Sequence, residues 1–308
     1  MPGPAPTRTA PATLRPRISL GEVRSLRYRL PDGHRTTVHV ATYPRAEVTL
    51  RLVELEPPQP LASWCTRSGV ADALVAGFFV TPDGPALGEV WIGGRRRPSR
   101  PMDPRWAPLR GCLAVDDGTV AMAPRHALPA VPRGDLLQAG PLLVAGGRVL
   151  VREGDDPEGF SATRGQFDSD VAAGRHPRAA VGIAGGSLVA IASEGRSAHE
   201  AGLTLAELAV LARALGCEYA LNLDGGGSTS LVVGGLLRNT PREASGAEIP
   251  GGRAVVTALA LVPRAAEERG AASDPRGLLG ASPPTGSTVG GVPGDRTAQP
   301  VAAAAPPA

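Results

Sequence analysis

The feature that most constrains this chain is the ten-residue segment 221–230, LNLDGGGSTS, in which an apolar strand runs directly into a glycine loop. Successive strand residues point to opposite faces, so alternation from Tyr219 to Asp224 places the side chains of Asn222 and Asp224 on one face. Three consecutive glycines allow positive φ and a close approach of the backbone to a ligand. The segment therefore predicts a binding site for a phosphate or a sugar hydroxyl. The alternative is a glycine-rich hairpin whose aspartate caps its own loop.

The composition predicts one ordered domain between disordered ends. The chain has 308 residues, 42% of them hydrophobic, which is enough for a full core. Residues 1–17 carry five prolines, and residues 264–308 are rich in Ala, Gly, Pro and Ser, so both segments are predicted to be disordered. Residues 18–263 form the predicted domain, with its motifs densest at 176–262. Many β-runs, frequent Gly/Pro turns and one prominent amphipathic helix predict a sheet-rich α+β domain with antiparallel hairpins.

The absence of lysine excludes several mechanisms. All 32 basic residues are arginine, so the chain has no P-loop lysine, no Schiff-base lysine and no lysine general base. The net charge is only +3, and no nucleic-acid motif accompanies the arginines at 95–97, which we expect to form a solvated turn. Nucleic acid is therefore not a predicted partner.

Cysteine spacing and hydropathy indicate where in the cell the chain is expected to be. Cys65, Cys112 and Cys217 have no CxxC spacing, which favours buried thiols over a zinc site or a disulfide framework. No apolar stretch marks a signal peptide or a membrane span, so the chain as written is predicted to be cytoplasmic and not membrane-bound. A misassigned start codon would instead be consistent with a secreted protein.

Local patterns predict where the strands lie. Alternating runs at 37–40 and 48–53 predict antiparallel strands, and the apolar run at 73–79 predicts a buried strand. Glycine pairs at 146–147, 185–186 and 234–235 predict hairpin turns. The Pro- and Arg-rich stretch 94–135 is predicted to be a variable excursion with one strand at 112–115. Thr204 and Glu207 form a capping box that begins a helix, and Gly216 is placed to end it.

The order of these signals resembles the phosphodiester glycosidase family. The series runs through Ala-Gly-Phe-Phe, Gln-Ala-Gly-Pro, His-Pro-Arg-Ala-Ala-Val-Gly-Ile and Glu-Gly-Arg to the helix, the glycine loop, Asn239 and Arg253. It covers roughly residues 70 to 262 and is strongest from 176 onward. The resemblance implies a hydrolase that cleaves the sugar–phosphate bond of a glycosyl-1-phosphodiester, with a substrate similar to an N-acetylglucosamine-1-phosphodiester.

The resemblance also implies site residues, position by position. The family's proline-arginine pair falls on Pro177 and Arg178, its acidic-Gly-Arg turn falls on 194–196 with Glu194 in place of the usual aspartate, and its later asparagine is Asn239. The chain departs from the pattern in two places. Val75-Ala76 replaces the Asn-Gly that usually precedes Gly-Phe-Phe, and Ala179 replaces a threonine.

The chemistry of a sugar phosphodiester assigns expected roles to these residues. Arg178 and Arg196 are expected to bind phosphate oxygens, together with the N–H groups of Gly225, Gly226, Gly227 and Ser228. Asp224 is the first candidate for a carboxylate that acts on the anomeric centre, and Glu194 is the second. Asn222 is expected to bind a sugar hydroxyl, and Asn239 is implied to contact the substrate.

Alternatives stay open for several of these positions. Arg196 is equally consistent with tying down a loop, and His176 with a surface turn residue in place of a general acid. Asp168 and Asp170 are expected to be solvated. No cofactor is identified, although Asp224 is a candidate ligand for a divalent metal. The sequence also leaves open the oligomeric state and whether the reaction retains or inverts the anomer.

Two other function classes are compatible with part of the pattern. A nucleotide-binding ATPase of the actin and sugar-kinase type would need a second glycine-rich phosphate loop near the N-terminus, and residues 18–60 contain none. A catalytically silent domain that binds sugar or phosphate is suggested by the apolar pair Val75-Ala76. Ligand binding without turnover would identify this second class.

Overall fold

The computed structural model describes residues 19–81, 84–162 and 173–264. The segments predicted to be disordered, and Asp168 and Asp170, lie outside these ranges, except for Arg264. Within the described residues the elements, in chain order, are β1 (Glu22–Arg29), β2 (Arg35–Pro44), β3 (Val48–Pro60), α1 (Leu61–Ser68), β4 (Asp72–Val75), β5 (Phe78–Phe79), β6 (Ala86–Leu87), β7 (Val90–Ile92), β8 (Arg95–Arg96), β9 (Ser99–Arg100), β10 (Gly111–Asp116), β11 (Thr119–Pro124), β12 (Asp135–Gln138), β13 (Leu142–Ala145), β14 (Arg148–Val149), β15 (Ala179–Ala184), β16 (Ser187–Ser193), α2 (Leu205–Ala214), β17 (Tyr219–Asn222), β18 (Leu231–Val233), β19 (Leu236–Leu237) and β20 (Ala254–Pro263), with short 3-10 helices at Arg125–Ala127 and Gly226–Ser228.

Antiparallel sheets dominate the described residues, which confirms the predicted α+β class. The largest sheet has the order β1-β2-β16-β15-β17-β13-β14, and two five-stranded sheets have the orders β19-β18-β4-β20-β3 and β11-β10-β12-β7-β8. A small sheet of β5, β6 and β9 contains a parallel pair, β6 with β9. Strand β17 lies between β15 and β13, so its carboxyl end, where the glycine loop begins, is in the interior of the largest sheet.

Helix α2 covers one face of this sheet and begins as predicted. The Thr204 side chain accepts the N–H of Glu207 and the Glu207 carboxylate accepts the N–H of Thr204, so both halves of the capping box are formed. Gly216 follows the helix with φ +87. The helix buries Leu208 and Leu211 against the sheet, and each fully buried leucine contributes about 1.5–3 kcal/mol relative to an exposed one. Packing of this apolar face, more than helix propensity, holds the chain that leads into β17.

A second core lies between the largest sheet and the other two large sheets. Leu50, Leu74 and Leu259 are fully buried in it, one from each of β3, β4 and β20. The predicted strand at 73–79 is real but interrupted, because β4 ends at Val75 and β5 begins at Phe78. The interruption matters for the site, because the Ala76 carbonyl that follows β4 accepts the N–H of Asp224.

The prediction for residues 94–135 is wrong in one respect. This stretch is not an excursion with a single strand: β10 pairs along its length with β11 and with β12, and Val115, Val120 and Met122 belong to the buried core. The arginines at 95 and 96 are exposed as predicted, but they form β8 and pair with β7. Proline and arginine content concealed the alternation of short strands, which are held by their partners more than by their own propensity.

Two further expectations can be compared with the described residues. Cys65, Cys112 and Cys217 are buried, as predicted. In the part of the chain that the structure describes, no helix has the length and apolar character needed to cross a membrane.

Candidate functional site

The glycine loop is fixed by hydrogen bonds to two separate segments, at 76 and at 177–179. The N–H of Leu223 donates to the carbonyl of Ala179 at 2.9 Å, that of Asp224 donates to Ala76 at 2.9 Å, and that of Gly226 donates to Pro177 at 2.8 Å. The Pro177-Arg178 pair, the Val75-Ala76 pair and the glycine loop are therefore in direct contact, although up to 150 residues separate them in sequence. The motifs that the resemblance placed in order along the chain converge at one place.

Each of the three glycines has a neighbour that a Cβ would meet closely. A Cβ added to Gly225 would lie 3.0 Å from the Pro177 carbonyl oxygen, and one added to Gly226 would lie 3.0 Å from Nη2 of Arg196. At Gly227 an added Cβ would lie 2.8 Å from Nη2 and 2.9 Å from Cζ of Arg253. Two guanidinium groups thus lie directly against consecutive glycines, and their positive charges converge on the loop.

Most N–H groups of the loop already have acceptors. The N–H of Gly225 donates to Oδ1 of Asp224 at 3.0 Å, so the aspartate does cap its own loop, and the N–H of Ser228 donates to the Gly225 carbonyl at 3.1 Å. With Gly226 bound to Pro177, the N–H of Gly227 is the one in this loop without an acceptor among the described residues. Of the four donors predicted to bind a ligand, Gly227 alone therefore keeps an N–H without an acceptor among the described residues.

Arg196 has a strained backbone at the edge of the site. Its φ is +59, and within the described residues Asp117 is the other non-glycine residue with positive φ. Such a conformation is uncommon for a residue with a long side chain and often marks functional positions. Its Nη1 donates to the carbonyl of Arg242 at 3.1 Å. Both of the roles considered for Arg196, tying down a loop and contributing charge at the glycine loop, are compatible with this geometry.

A cavity of about 570 Å³ lies beside Arg196. Its walls are the turn that follows Arg196 and the turn at 244–246, and Arg175 and Glu200 contribute charged side chains to the lining. Glu200, which the sequence did not single out, is held in place because its carboxylate accepts the backbone N–H of Thr37 at 2.5 Å. The cavity is large enough for a sugar residue.

Arg253 is a second arginine at the loop. It was among the residues that carry the family resemblance but was not among the predicted site residues. It directly precedes β20, and its Nη2 donates to the Glu243 carboxylate. Its guanidinium group covers Gly227, as described above. An arginine after the Gly-Gly pair at 251–252 was the available sequence signal, but its approach to the glycine loop depends on the tertiary fold.

Glu194 contacts the His39 ring and a backbone N–H, and Asn239 contacts two backbone groups. The Oε1 atom of Glu194 lies 3.1 Å from Nε2 of His39 and accepts the N–H of Thr240 at 2.9 Å. Asn239, 5% exposed, accepts the N–H of Leu231 at 3.0 Å and donates to the Thr229 carbonyl at 2.7 Å. The catalytic role of Glu194 and the substrate contact of Asn239 stay predictions, and this geometry favours roles in holding the segments around the loop.

Arg178 is likewise anchored. It is 3% exposed, Nε donates to the Leu203 carbonyl at 3.1 Å and Nη2 to that of Gly174 at 3.2 Å. The nearby His176 ring places Nε2 3.1 Å from the Ala173 carbonyl oxygen. The phosphate contact of Arg178 stays a prediction, and its hydrogen bonds to backbone carbonyls favour a positioning role under Gly225, whose added Cβ would lie 3.8 Å from Cδ of Arg178.

Asn222 leaves one polar atom unsatisfied. Its side chain is 1% exposed, and Nδ2 donates to the Gly140 carbonyl at 2.9 Å. Within the described residues, Oδ1 has no hydrogen-bond donor. Buried amide oxygens are rarely left without a donor, so this atom marks a place for water or for a ligand hydroxyl. The contact of Asn222 with a sugar stays a prediction, because the residue is buried.

Glu158 is a buried carboxylate near Asn222 that the sequence did not predict as a site residue. Glu158 accepts the N–H of Gly111 at 2.7 Å and that of Leu142 at 2.6 Å, on either side of the Gly140-Pro141 corner that Asn222 binds. Burial raises the pKa of Glu158 to about 7, while the two N–H donors act in the opposite direction. The sequence around Glu158 could not predict this role, because the residues that its carboxylate binds lie 16 and 47 positions away.

The apolar pair Val75-Ala76 is part of the framework around Asp224. Both residues are fully buried, the N–H of Val75 donates to the Ser230 carbonyl at 3.0 Å, and that of Ala76 donates to Thr257 at 3.2 Å. These bonds involve the backbone alone, so they do not depend on which side chains stand at 75 and 76. The departure from the family pattern therefore leaves the support of the glycine loop in place.

The described residues contain no cluster of three or more His, Cys, Asp or Glu side chains suited to a metal ion. The divalent metal considered for Asp224 stays a prediction. Asp224 is half-buried and lies between the Ala76 segment and the glycine loop. The site is thus built from guanidinium groups, one carboxylate and an amide.

The fold has counterparts among solved structures. The zebrafish N-acetylglucosamine-1-phosphodiester alpha-N-acetylglucosaminidase catalytic domain, auto-inhibited by its pro-peptide, matches with a TM-score of 0.61 and 20% identity, over 79% of this chain and 83% of that one. A Burkholderia pseudomallei protein described as exported matches with a TM-score of 0.55 and 17% identity, over 75% of each chain. A hypothetical protein from Synechocystis matches with a TM-score of 0.54 and 20% identity, over 79% of this chain. The match spans only 62% of the Synechocystis protein's length.

At these identities the solved structures share the fold alone. None of the curated proteins matches the chain. The sequence matches the phosphodiester glycosidase family over residues 71–262, the range that holds the glycine loop and both arginines that cover it, and the chain belongs to this family.

Proposed function

We propose that this protein hydrolyses the bond between the anomeric carbon of a sugar and the phosphate of a glycosyl-1-phosphodiester, with an N-acetylglucosamine-1-phosphodiester as the expected substrate type. The observation that carries the proposal is the pair of guanidinium groups, Arg196 and Arg253, against Gly226 and Gly227 in the loop that follows Asp224. Planar guanidinium groups match the geometry of phosphate oxygens. Family membership supports a glycosidase of this kind.

The expected reaction places opposite charges on the sugar and on the leaving phosphate, and the site has groups of opposite charge for each. Water adds to the anomeric carbon, the bond from that carbon to the phosphate oxygen breaks, and a phosphate monoester leaves. The transition state carries positive charge on the sugar ring and negative charge on the leaving phosphate. Arg196 and Arg253 stabilise the negative charge, and the Asp224 carboxylate stabilises the positive charge or attacks the anomeric carbon.

The remaining side chains orient the sugar and hold the site together. Oδ1 of Asn222, buried and without a donor among the described residues, accepts a sugar hydroxyl in this scheme. Arg178, Glu194 and Asn239 fix the surrounding segments. A phosphate leaving group needs little protonation, so the mechanism does not require a strong general acid on the leaving side.

The silent binding domain is the competing function. The apolar pair Val75-Ala76 suggested it, and its backbone hydrogen bonds to the loop are compatible with both functions. The ATPase alternative has less support, because the N-terminal strands β1 and β2 form an antiparallel hairpin without the second phosphate loop that it requires. The location of the protein, cytoplasmic or exported, stays a prediction from the sequence.

Proton NMR of the protein with an N-acetylglucosamine-1-phosphodiester tests the proposal. Wild type should release free sugar and Asp224→Ala should not, with ligand line broadening retained in both. The first anomer released shows whether the reaction retains or inverts. Line broadening without release by the wild type would establish the silent binding domain instead.

A further inference from the structure

Glu243 places a carboxylate on one of the two arginines that cover the glycine loop. Its Oε2 atom accepts from Nη2 of Arg253, the same nitrogen that lies closest to Gly227. The free protein therefore already holds an anion where the proposed function places the phosphate of the substrate.

The backbone around Glu243 holds it in a defined turn. The N–H of Glu243 donates to the Ala247 carbonyl at 2.8 Å, and the N–H of Gly246 donates to the Glu243 carbonyl at 2.9 Å. This turn supplies one wall of the cavity beside Arg196. At its start, the carbonyl of Arg242 accepts Nη1 of Arg196 at 3.1 Å. The turn thus contacts both arginines, one through a backbone carbonyl and the other through a carboxylate.

We infer that Glu243 is an internal anion that occupies Arg253 in the free protein and that the substrate phosphate displaces, an inference that rests on the proposed function of this site. The carboxylate screens Arg253 until a phosphodiester arrives. Neutral glycosides carry no charge to replace it, so Glu243 favours phosphodiesters over neutral ligands.

The exposure of the pair makes displacement feasible. The Arg253 side chain is 34% exposed and that of Glu243 is 46% exposed. Ion pairs with this much solvent contact contribute little to stability, because water screens them and holding two long side chains costs entropy. A phosphodiester offers two nonbridging oxygens, which share one negative charge, to the same guanidinium fork, and the Gly227 N–H adds a neutral donor.

Glu248 provides a matched control. It lies on the same loop and also pairs with an arginine, Arg242, through Nη2 at 2.6 Å. Its carboxylate does not contact Arg253 or the glycine loop. Glu248→Gln therefore removes the same charge from the same segment without freeing the arginine at Gly227.

Phosphorus NMR titration with dimethyl phosphate measures anion binding without the sugar. We expect Glu243→Gln to lower Kd by about two- to fivefold, the factor that the strength of an exposed ion pair implies. Glu248→Gln should leave Kd within the error of the wild type, and Arg253→Gln should weaken binding strongly. Circular dichroism shows that the variants are folded.

The outcomes separate this inference from the proposed function. Equal or weaker binding by Glu243→Gln, with binding lost in Arg253→Gln, overturns the role of Glu243 but leaves the phosphate site intact. An equal gain in affinity in Glu243→Gln and Glu248→Gln would mean that the net charge of the protein causes the effect, and it also overturns the role of Glu243. Binding that Arg253→Gln does not change places the anion elsewhere and overturns both.

Discussion

The guanidinium group of Arg196 lies against Gly226, so that a Cβ on this glycine would be 3.0 Å from Nη2 and 3.1 Å from Nη1. Gly226 has φ +58 and Arg196 has φ +59, so both backbones occupy the left-handed region. For an arginine this conformation persists only where the surrounding structure holds it. The arginine and the loop therefore form one structural unit. In it the Arg196 side chain, just after β16, places a positive charge against the loop.

Replacing Gly227 by alanine tests the close approach of Arg253. The new Cβ would lie 2.8 Å from Nη2 of Arg253 and 3.0 Å from Cδ1 of Ile249, and Gly227 does not have positive φ, so backbone strain is not added. We expect the guanidinium group to move off the loop and kcat/KM for a phosphodiester to fall by about tenfold or more. Steady-state kinetics measures this fall.

The control for that variant is Gly186→Ala, in the turn between β15 and β16. Gly186 also lacks positive φ, and an added Cβ would meet no heavy atom within 4 Å. Its kcat/KM should equal that of the wild type. Unchanged kinetics in Gly227→Ala would show that the position of Arg253 against the loop does not matter to the reaction.

Asn239→Ala should act on stability. The change removes two buried hydrogen bonds, to the Leu231 N–H and the Thr229 carbonyl, and leaves both backbone groups unpaired. The free energy of unfolding should fall by about 2–4 kcal/mol in urea denaturation. Thr240→Ala is the neighbouring control, because only the backbone N–H of Thr240 bonds to Glu194. Loss of turnover in Asn239→Ala at unchanged unfolding free energy would instead support the substrate contact suggested by the sequence.

Glu158 should make stability depend on pH. Burial raises its pKa from 4.5 to about 7, so the folded protein binds this proton more tightly than the unfolded chain does. Stability should therefore decrease as pH rises between these two values and level off above them, by roughly 1–3 kcal/mol in all. Urea denaturation across this range, for wild type and Glu158→Gln, isolates the contribution.

The glutamine variant has its own expected signature. It keeps one acceptor oxygen for the Gly111 and Leu142 N–H groups and loses the other, so it should be less stable at low pH and show a flatter pH dependence. Identical pH slopes in the two proteins would mean that Glu158 does not titrate in this range.

The elements with complete local signals could be predicted from the sequence. Thr204, Glu207 and Gly216 specify both ends of α2 within a few residues, and the glycine pair at 185–186 joins two strands whose alternation is clear. Helix α1 could not be found in this way. Its N-cap is Pro60, which makes no side-chain capping hydrogen bond, and the helix buries only Leu61 and Cys65. Packing against the sheet of β3, β4, β18 and β20, more than local preference, makes this segment helical.

The same distinction between local sequence patterns and tertiary contacts applies to the candidate site. The order of motifs predicted that Arg196 and the glycine loop belong together, because the resemblance carries that information. Sequence spacing could not show that Arg253 covers Gly227 or that Glu158 supports the Gly140-Pro141 corner, since both contacts join segments that are distant in the chain. It also could not show that most loop N–H groups are used within the protein.

The most direct test of the account compares a glycosyl phosphodiester with the neutral methyl glycoside of the same sugar in wild type and Arg196→Gln. The guanidinium group is proposed to stabilise the phosphate and not the sugar, so kcat/KM for the diester should fall by about 100-fold. The inhibition constant of the methyl glycoside should stay unchanged. Arg213→Gln, on α2, removes the same charge away from the loop and should match the wild type in both. Equal losses for the charged substrate and the neutral inhibitor, or no loss of kcat/KM at all, would contradict the account.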